Sequence, residues 1–523
     1  MDTDTAEVIV ETQAGKVRGA IERGVHVFRG IPYAQDPTGP NRFLPPRAAK
    51  PWAGVRDATS YGPSAVQGRR VDPRRPADPL SEDALEMGEN CLVLNVWTPE
   101  PTGRRPVMVW FHGGGFAVGS GSTPMYAGEN LARRGDVVVI TVNHRLGLLG
   151  FLQLEQRFGA DYAGSGNAGI LDLVAALEWV RDNVERFGGD PGCVTVFGES
   201  GGGGKVSALL ASPAARGLFR RAIIQSGPPF QFPDLDTANE VTDKVFAQLG
   251  LGANATPQAL LDLPAGKLLK VQFALGAGGG PSPGGMSFAP VIDGRVLFDW
   301  PEPSLAAGSY ADVPLMIGTN LDEARFMLMI NPHLRKTPPE LSADELLERA
   351  SPGCDRNAEA LIARYRGFYP ELSNFDLLLK IESEQFRLRS IRLAEHKLQA
   401  TKAPVFMYLF NWTTPRLARY GAFHGLEIPF IFDTLPTMPH VEVDPDAPTL
   451  TRRMLATWVA FARTGRPACE EVPEWAPYDM AKRSTMCIDR EWSLERDPHG
   501  EERAAWDDVP TGPTTRPWSR VVA

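Results

Sequence analysis

Residues 193–213, CVTVFGESGGGGKVSALLASP, carry the strongest chemical signal in the chain. A β-rich run stops at Gly198-Glu199-Ser200-Gly201-Gly202, and a helix of small residues begins. In that strand–turn–helix setting the G-x-S-x-G spacing marks a nucleophile elbow. The turn strains the serine backbone, and small neighbours avoid clashes. The Ser200 hydroxyl is then expected at a helix N-terminus, where unpaired N–H groups and the dipole favour negative charge. The second signal is PVMVWFHGGGFAVGS, residues 106–120, where an apolar strand runs into His112-Gly113-Gly114-Gly115-Phe116. Consecutive glycines let backbone N–H groups turn inward. Gly114 and Gly115, with Gly201 as a third donor, are the expected cradle for an oxyanion that exists only in a tetrahedral transition state. Together these residue types imply acyl transfer by a serine nucleophile.

A serine at its ordinary pKa needs a base. Of the eight histidines, His424 in YGAFHGLEIPFIF follows the apolar run Val405–Phe410 and comes late in the chain, in the Ser–acid–His order such architectures use. His26 falls in an early strand pattern, His440 and His499 in polar or proline-rich loops, and His333 and His396 in a helical stretch. His112 and His144 adjoin motif glycines and are expected to brace loops. The orienting acid should lie between serine and base. Glu323 in PLMIGTNLDEARF follows the apolar run Val313–Ile317, and Asp322 beside it is its rival. An imidazole base must be neutral to act, so activity is expected to fall on acidification through a pKa of about 6–7.

The elements that must position these groups can be read from the apolar pattern. Val107–Phe111, Val137–Val142, Val194–Phe197, Ala222–Gln225, Val313–Ile317 and Val405–Phe410 read as buried strands. Gly169–Phe187 has helical spacing of Ile170, Val174, Leu177, Val184 and Phe187 and stops at FGGDP. A second helix is expected at Met454–Arg463, and Leu334–Lys397 reads as a helical cap. Strands alternating with helices predict an α/β fold with a large, mostly parallel sheet covered on both faces. The expected organisation is one domain, 1–523, with insertions at about 60–88, 230–312 and 330–400. The segment from Pro63 to Pro79 and GAGGGPSPGG at 276–285 read as loops, and the latter lacks the strand and helix of a dinucleotide fingerprint.

Composition excludes other classes. With 54 basic and 63 acidic side chains the chain has a net charge of −9, so no general attraction to nucleic acid is expected. No apolar run approaches the length of a membrane span. The five cysteines are too scattered for a disulfide framework, and without a CxxC pair a thiolate metal site is not expected. No basic–apolar leader opens the sequence, so the expected location is cytoplasmic. The partner is a small molecule, and neither metal nor cofactor is required.

These motifs resemble the type-B carboxylesterase family, which includes cholinesterases and bacterial para-nitrobenzyl esterases. FRGIPYAQDPTGPNRFLPP, ENCLVLNVWTP, HGGGFAVGS, VNHRLGLLGF, GNAGILDLVAALEWVRDNVERFGGDP, FGESGGGGK, APVIDG, GTNLDEA and FHGLEIPF occur in family order across nearly the whole chain. The resemblance implies an α/β-hydrolase fold, a Ser–Glu–His triad in which Glu323 is the acid, and hydrolysis of esters. It further implies a buried carboxylate at Glu199, structural ion pairs Arg42–Glu89 and Arg145–Asp172, and a hydrogen-bonding Ser226. Some positions depart from it. Gly201 replaces the usual alanine. Cys91 faces Ala65 where the family has a disulfide, and Ser81 stands where cholinesterases carry a cation-binding tryptophan. Aligned through APVIDG, the acyl-pocket segment falls on Gly284–Phe288, where Gly284 and Met286 replace bulky aromatics. Phe326 and Met327 are expected to line the gorge. The implied substrate is an uncharged, moderately apolar ester in a deep pocket.

Overall fold

The computed structural model describes residues 7–68, 86–227, 232–276, 288–354, 357–400 and 403–509. Its strands are β1 (Glu7–Glu11), β2 (Lys16–Glu22), β3 (Val25–Pro32), β4 (Val55–Asp57), β5 (Val93–Thr98), β6 (Arg105–Phe111) and β7 (Val138–Val142). They continue with β8 (Gly189–Glu199), β9 (Arg221–Gln225), β10 (Leu315–Asn320), β11 (Val405–Phe410), β12 (Ser484–Ile488) and β13 (Ser493–Arg496). All join one sheet in the order β1-β2-β3-β5-β7-β6-β8-β9-β10-β11-β12-β13, with β4 beside β2. From β7 to β12 every neighbouring pair is parallel, and antiparallel strands flank this central part. This is the α/β-hydrolase architecture expected from the motifs. The expected strand at Val313 starts two residues later, at Leu315. Pro314 has no N–H for the ladder, although its carbonyl still accepts from Ala222 N.

Alternation along the strands builds two cores. Val107, Val109 and Phe111 of β6 point into one face, and Met108 and Trp110 into the other. Helix α1 (Ala168–Asn183) covers the first face. It passes into a 3₁₀ turn at Val184–Phe187 and stops at Gly188, whose φ of 75° is a left-handed cap. The helix that follows β8, α2 (Gly201–Ala211), is buried at every residue. Further on come α3 (Pro301–Ala306), α4 (Ala343–Cys354), α5 (Ala358–Phe368), α6 (Asn374–Leu398) and α7 (Ala447–Thr464). Helices α4, α5 and α6, in the segment read as a cap, pack around a third apolar cluster that includes Leu346, Leu361, Tyr365 and Leu378. No helix among the described residues is long and apolar enough to cross a membrane.

Both implied ion pairs form. Arg42 grips Glu89 at 2.7 and 2.5 Å and also donates to the carbonyls of Leu261 and Leu263. Arg145 holds the fully buried Asp172 at 2.9 and 2.6 Å. Asp172→Asn would leave the guanidinium buried without its counter-charge. We expect a loss of about 3–5 kcal/mol, read from urea unfolding of the purified variant.

Candidate active site

Parallel strands deliver their following loops to one edge of a sheet, and the adjacent order β6-β8-β9-β10-β11 therefore lines up the candidate residues. The glycine loop follows β6, Ser200 follows β8, Ser226 follows β9, Glu323 follows β10 and His424 follows β11.

The elbow is set by steric contact. A Cβ at Gly202 would lie 2.0 Å from the Phe111 carbonyl oxygen, and one at Gly198 would lie 2.6 Å from the Gly202 backbone. Only glycine allows β8, α2 and the end of β6 to approach so closely. Ser200 between them takes φ 56°, a strained conformation for a residue with a Cβ. Its N–H donates to the Gln225 carbonyl at 2.8 Å, and its carbonyl accepts from Gly204 N at 3.0 Å. The N–H groups of the first helical turn, Gly201 included, have no partner within the helix.

Gly114 and Gly115 have φ of 82° and 64°, which only glycine adopts readily. Their loop lies directly on the elbow: a Cβ at Gly113 would be 3.4 Å from Ser200 Cβ and 3.0 Å from Glu199 Oε2. Lys205, fully buried on α2, donates to the His112 carbonyl at 2.7 Å and ties this loop to the nucleophile helix. His112 and His144 stack at 5.1 Å. Burial and the Lys205 charge hold both imidazoles well below the usual histidine range, as loop braces rather than bases. The backbone of Gly115 fills the space beside Gly201: a Cβ at 201 would lie 2.3 Å from Gly115 N and O.

Glu323 is fully buried. Its Oε2 lies 2.6 Å from His424 Nδ1, and its Oε1 accepts from Asn320 N at 2.8 Å. Asp322 instead accepts from Ala422 N at 3.0 Å and pairs with Arg325, so it braces the loop that leads to His424. The other imidazole nitrogen, Nε2, lies 3.1 Å from Glu199 Oε1. Among the described residues no hydrogen bond runs from the Ser200 hydroxyl to His424. His424 thus contacts Glu323 directly on one side and Glu199, the residue preceding Ser200, on the other.

A third carboxylate, Glu427, is fully buried behind the imidazole and receives Asn320 Nδ2 at 2.7 Å and Gln225 Nε2 at 3.1 Å. Burial disfavours the His424 cation, but Glu199, Glu323 and Glu427 outweigh it and raise its pKa to about 9. Burial in turn raises Glu199 to about 8, against the pull of His424 and Lys205.

The carboxylesterase family model matches residues 6–506. The chain is 38% identical to the para-nitrobenzyl esterase of Bacillus subtilis, over 95% of this chain and 97% of that one. The chain belongs to the carboxylesterase family. It is an enzyme that hydrolyses carboxylic esters. It is also 35% identical to the phenmedipham hydrolase of Pseudarthrobacter oxydans, over 90% of this chain and 92% of that one. Among solved structures, the Geobacillus stearothermophilus carboxylesterase superposes with a TM-score of 0.84 at 38% identity, covering 95% of this chain and 100% of that chain.

Around the esterase centre, the remaining expectations fall out unevenly. Phe326 meets the His424 ring edge-on at 5.6 Å. Phe288 is buried. Met327 is buried in the apolar cluster of the cap helices. Gly284, Met286 and Ser81 lie outside the described residues. Ser226 is buried with φ 47°, but its hydroxyl has no partner among the described residues, contrary to the bonding role the resemblance implies. Phe386 on α6, which packs on the imidazole at 5.5 Å, was not foreseen, nor was Glu427. The acidic limb of activity is accordingly expected above the value of about 6–7 that an ordinary imidazole implies. With the imidazole raised to about 9, kcat/KM on a neutral ester should keep climbing above pH 7.5 and fall as acid returns the proton. Glu199→Gln removes a neighbouring negative charge and should shift that limb to lower pH in a full pH–rate profile.

Proposed function

We propose that Ser200 attacks the ester carbonyl while His424 takes its proton, with Glu323 fixing the imidazole and the N–H groups of Gly114, Gly115 and Gly201 holding the oxyanion. His424 then protonates the leaving alcohol, and water attacks the acyl-enzyme by the reverse path. The observation that carries this reading is the 2.6 Å Glu323–His424 contact at the same sheet edge as the elbow serine after β8, with only β9 between β8 and β10. The Ser200–His424 hydrogen bond this reading requires is one that substrate-free sites commonly form only on tightening. Phe326 and Phe386 against the imidazole support uncharged, moderately apolar esters as substrates. The shared sheet supports residues 1–523 acting as one catalytic domain. Cys91, Cys193, Cys469 and Cys487 are free thiols, and Cys91 lies buried, in keeping with a cytoplasmic enzyme. Reaction with an organophosphate should place one adduct on Ser200 as activity is lost. Full inactivation with Ser200 unmodified would overturn the mechanism.

A further inference from the structure

Helix α6 carries Glu382, Phe386 and Arg389 at spacings of four and three residues, which places them along one stripe. The Phe386 ring packs edge-on against His424, so this stripe faces the reaction centre. Glu382 and Arg389 stand to either side, about 6 and 4.5 Å along the helix axis. Gln385 lies one turn before Arg389. The opposite side of the same helix is structural and fully paired: Arg387 grips Glu384 at 2.5 Å and donates to the carbonyls of Pro498 and His499.

The stripe toward the imidazole is different. Arg389 makes no hydrogen bond or ion pair within 4 Å of any described residue. The Gln385 amide nitrogen is buried and likewise without a partner among the described residues. Arg389 and Glu382 are partly open to solvent, yet burial is the largest influence on both. Burial raises Glu382 to about 7 and raises Glu302, on the neighbouring helix α3, as well. The guanidinium is therefore the group of this cluster that keeps its charge.

We propose that Arg389 and Gln385 form a substrate subsite for an oxygen acceptor, a second ester carbonyl or an ether, carried by the substrate away from its scissile carbonyl. The Gln385 amide N–H, buried without an acceptor among the described residues, is costly until such an oxygen arrives, and the Arg389 guanidinium, partly open to solvent, can donate to the same oxygen; this gives selectivity over an isosteric alkyl chain. The inference rests on Ser200 and His424 being the reaction centre.

The test uses two near-isosteric pairs. The first is p-nitrophenyl heptanoate against the p-nitrophenyl ester of monomethyl glutarate. The second is heptyl acetate against 2-(2-methoxyethoxy)ethyl acetate. The wild-type enzyme should favour the acceptor-bearing member of at least one pair by about 10-fold in kcat/KM. Arg389→Met should bring that ratio to about one, and Arg389→Lys should retain part of it. Equal rates within both pairs, or a preference that survives Arg389→Met, would overturn the subsite. Should Arg389→Met not fold, an Arg389→Lys ratio equal to wild type in a well-folded protein overturns it equally. Persistent hydrolysis by Ser200→Ala would instead strike the reaction-centre reading, so the two failures are distinguishable.

Discussion

Ser200→Ala is expected to lower kcat on a p-nitrophenyl ester by about 10⁴-fold or more, with the Tm of the purified protein at the wild-type value. The separation of the two effects follows from the elbow. The strain at φ 56° belongs to any residue with a Cβ, so alanine inherits it unchanged. The backbone bonds to Gln225 and Gly204 are also kept. The variant loses one oxygen atom, the Ser200 hydroxyl. Steady-state rates and calorimetry on the same preparation check both halves, and a rate near wild type would end the case for Ser200.

Glu323→Gln should cost about 10³–10⁴-fold in kcat, by the logic of the triad carboxylate. The two carboxylate oxygens have separate duties, one toward His424 Nδ1 and one toward Asn320 N–H. In the glutamine variant the amide oxygen satisfies Asn320, which turns the NH₂ toward Nδ1. That nitrogen must then accept, the ring proton moves to Nε2, and the imidazole cannot take a proton from serine. The flipped amide orients the imidazole correctly only by leaving the buried Asn320 N–H unpaired. Asp322→Asn should alter kcat far less and appear instead in Tm, since Asp322 tethers the Ala422 loop. Reversed effects would make Asp322 the working acid.

What could be read from the chain and what could not follow from how local each cause is. Gly198, Ser200 and Gly202 announce themselves because a single strand–helix crossing dictates all three, within five residues. Glu323 and Asp322 could not be separated locally, because both follow the same strand and only the position of the distant His424 loop assigns their tasks. Phe386 lay hidden because α6 buries residues around its whole circumference, so no amphipathic period singles out the stripe that touches the imidazole. Glu427 stands three residues after His424 in a segment whose apolar neighbours gave no sign that its carboxylate would be buried between Gln225 and Asn320. The raised basicity of His424 has the same origin, since its three acidic neighbours come from separate strand ends.

The close seating of Gly115 against Gly201 ties two segments that are 86 positions apart into one mutational unit. Gly201→Ala is not a neutral change in this chain, because the added methyl must displace a main-chain segment. Evolution or a directed library would therefore meet epistasis here. Substitutions at 201 are expected to be tolerated chiefly alongside changes in residues 113–119, and a double-mutant cycle across the pair should depart strongly from additivity.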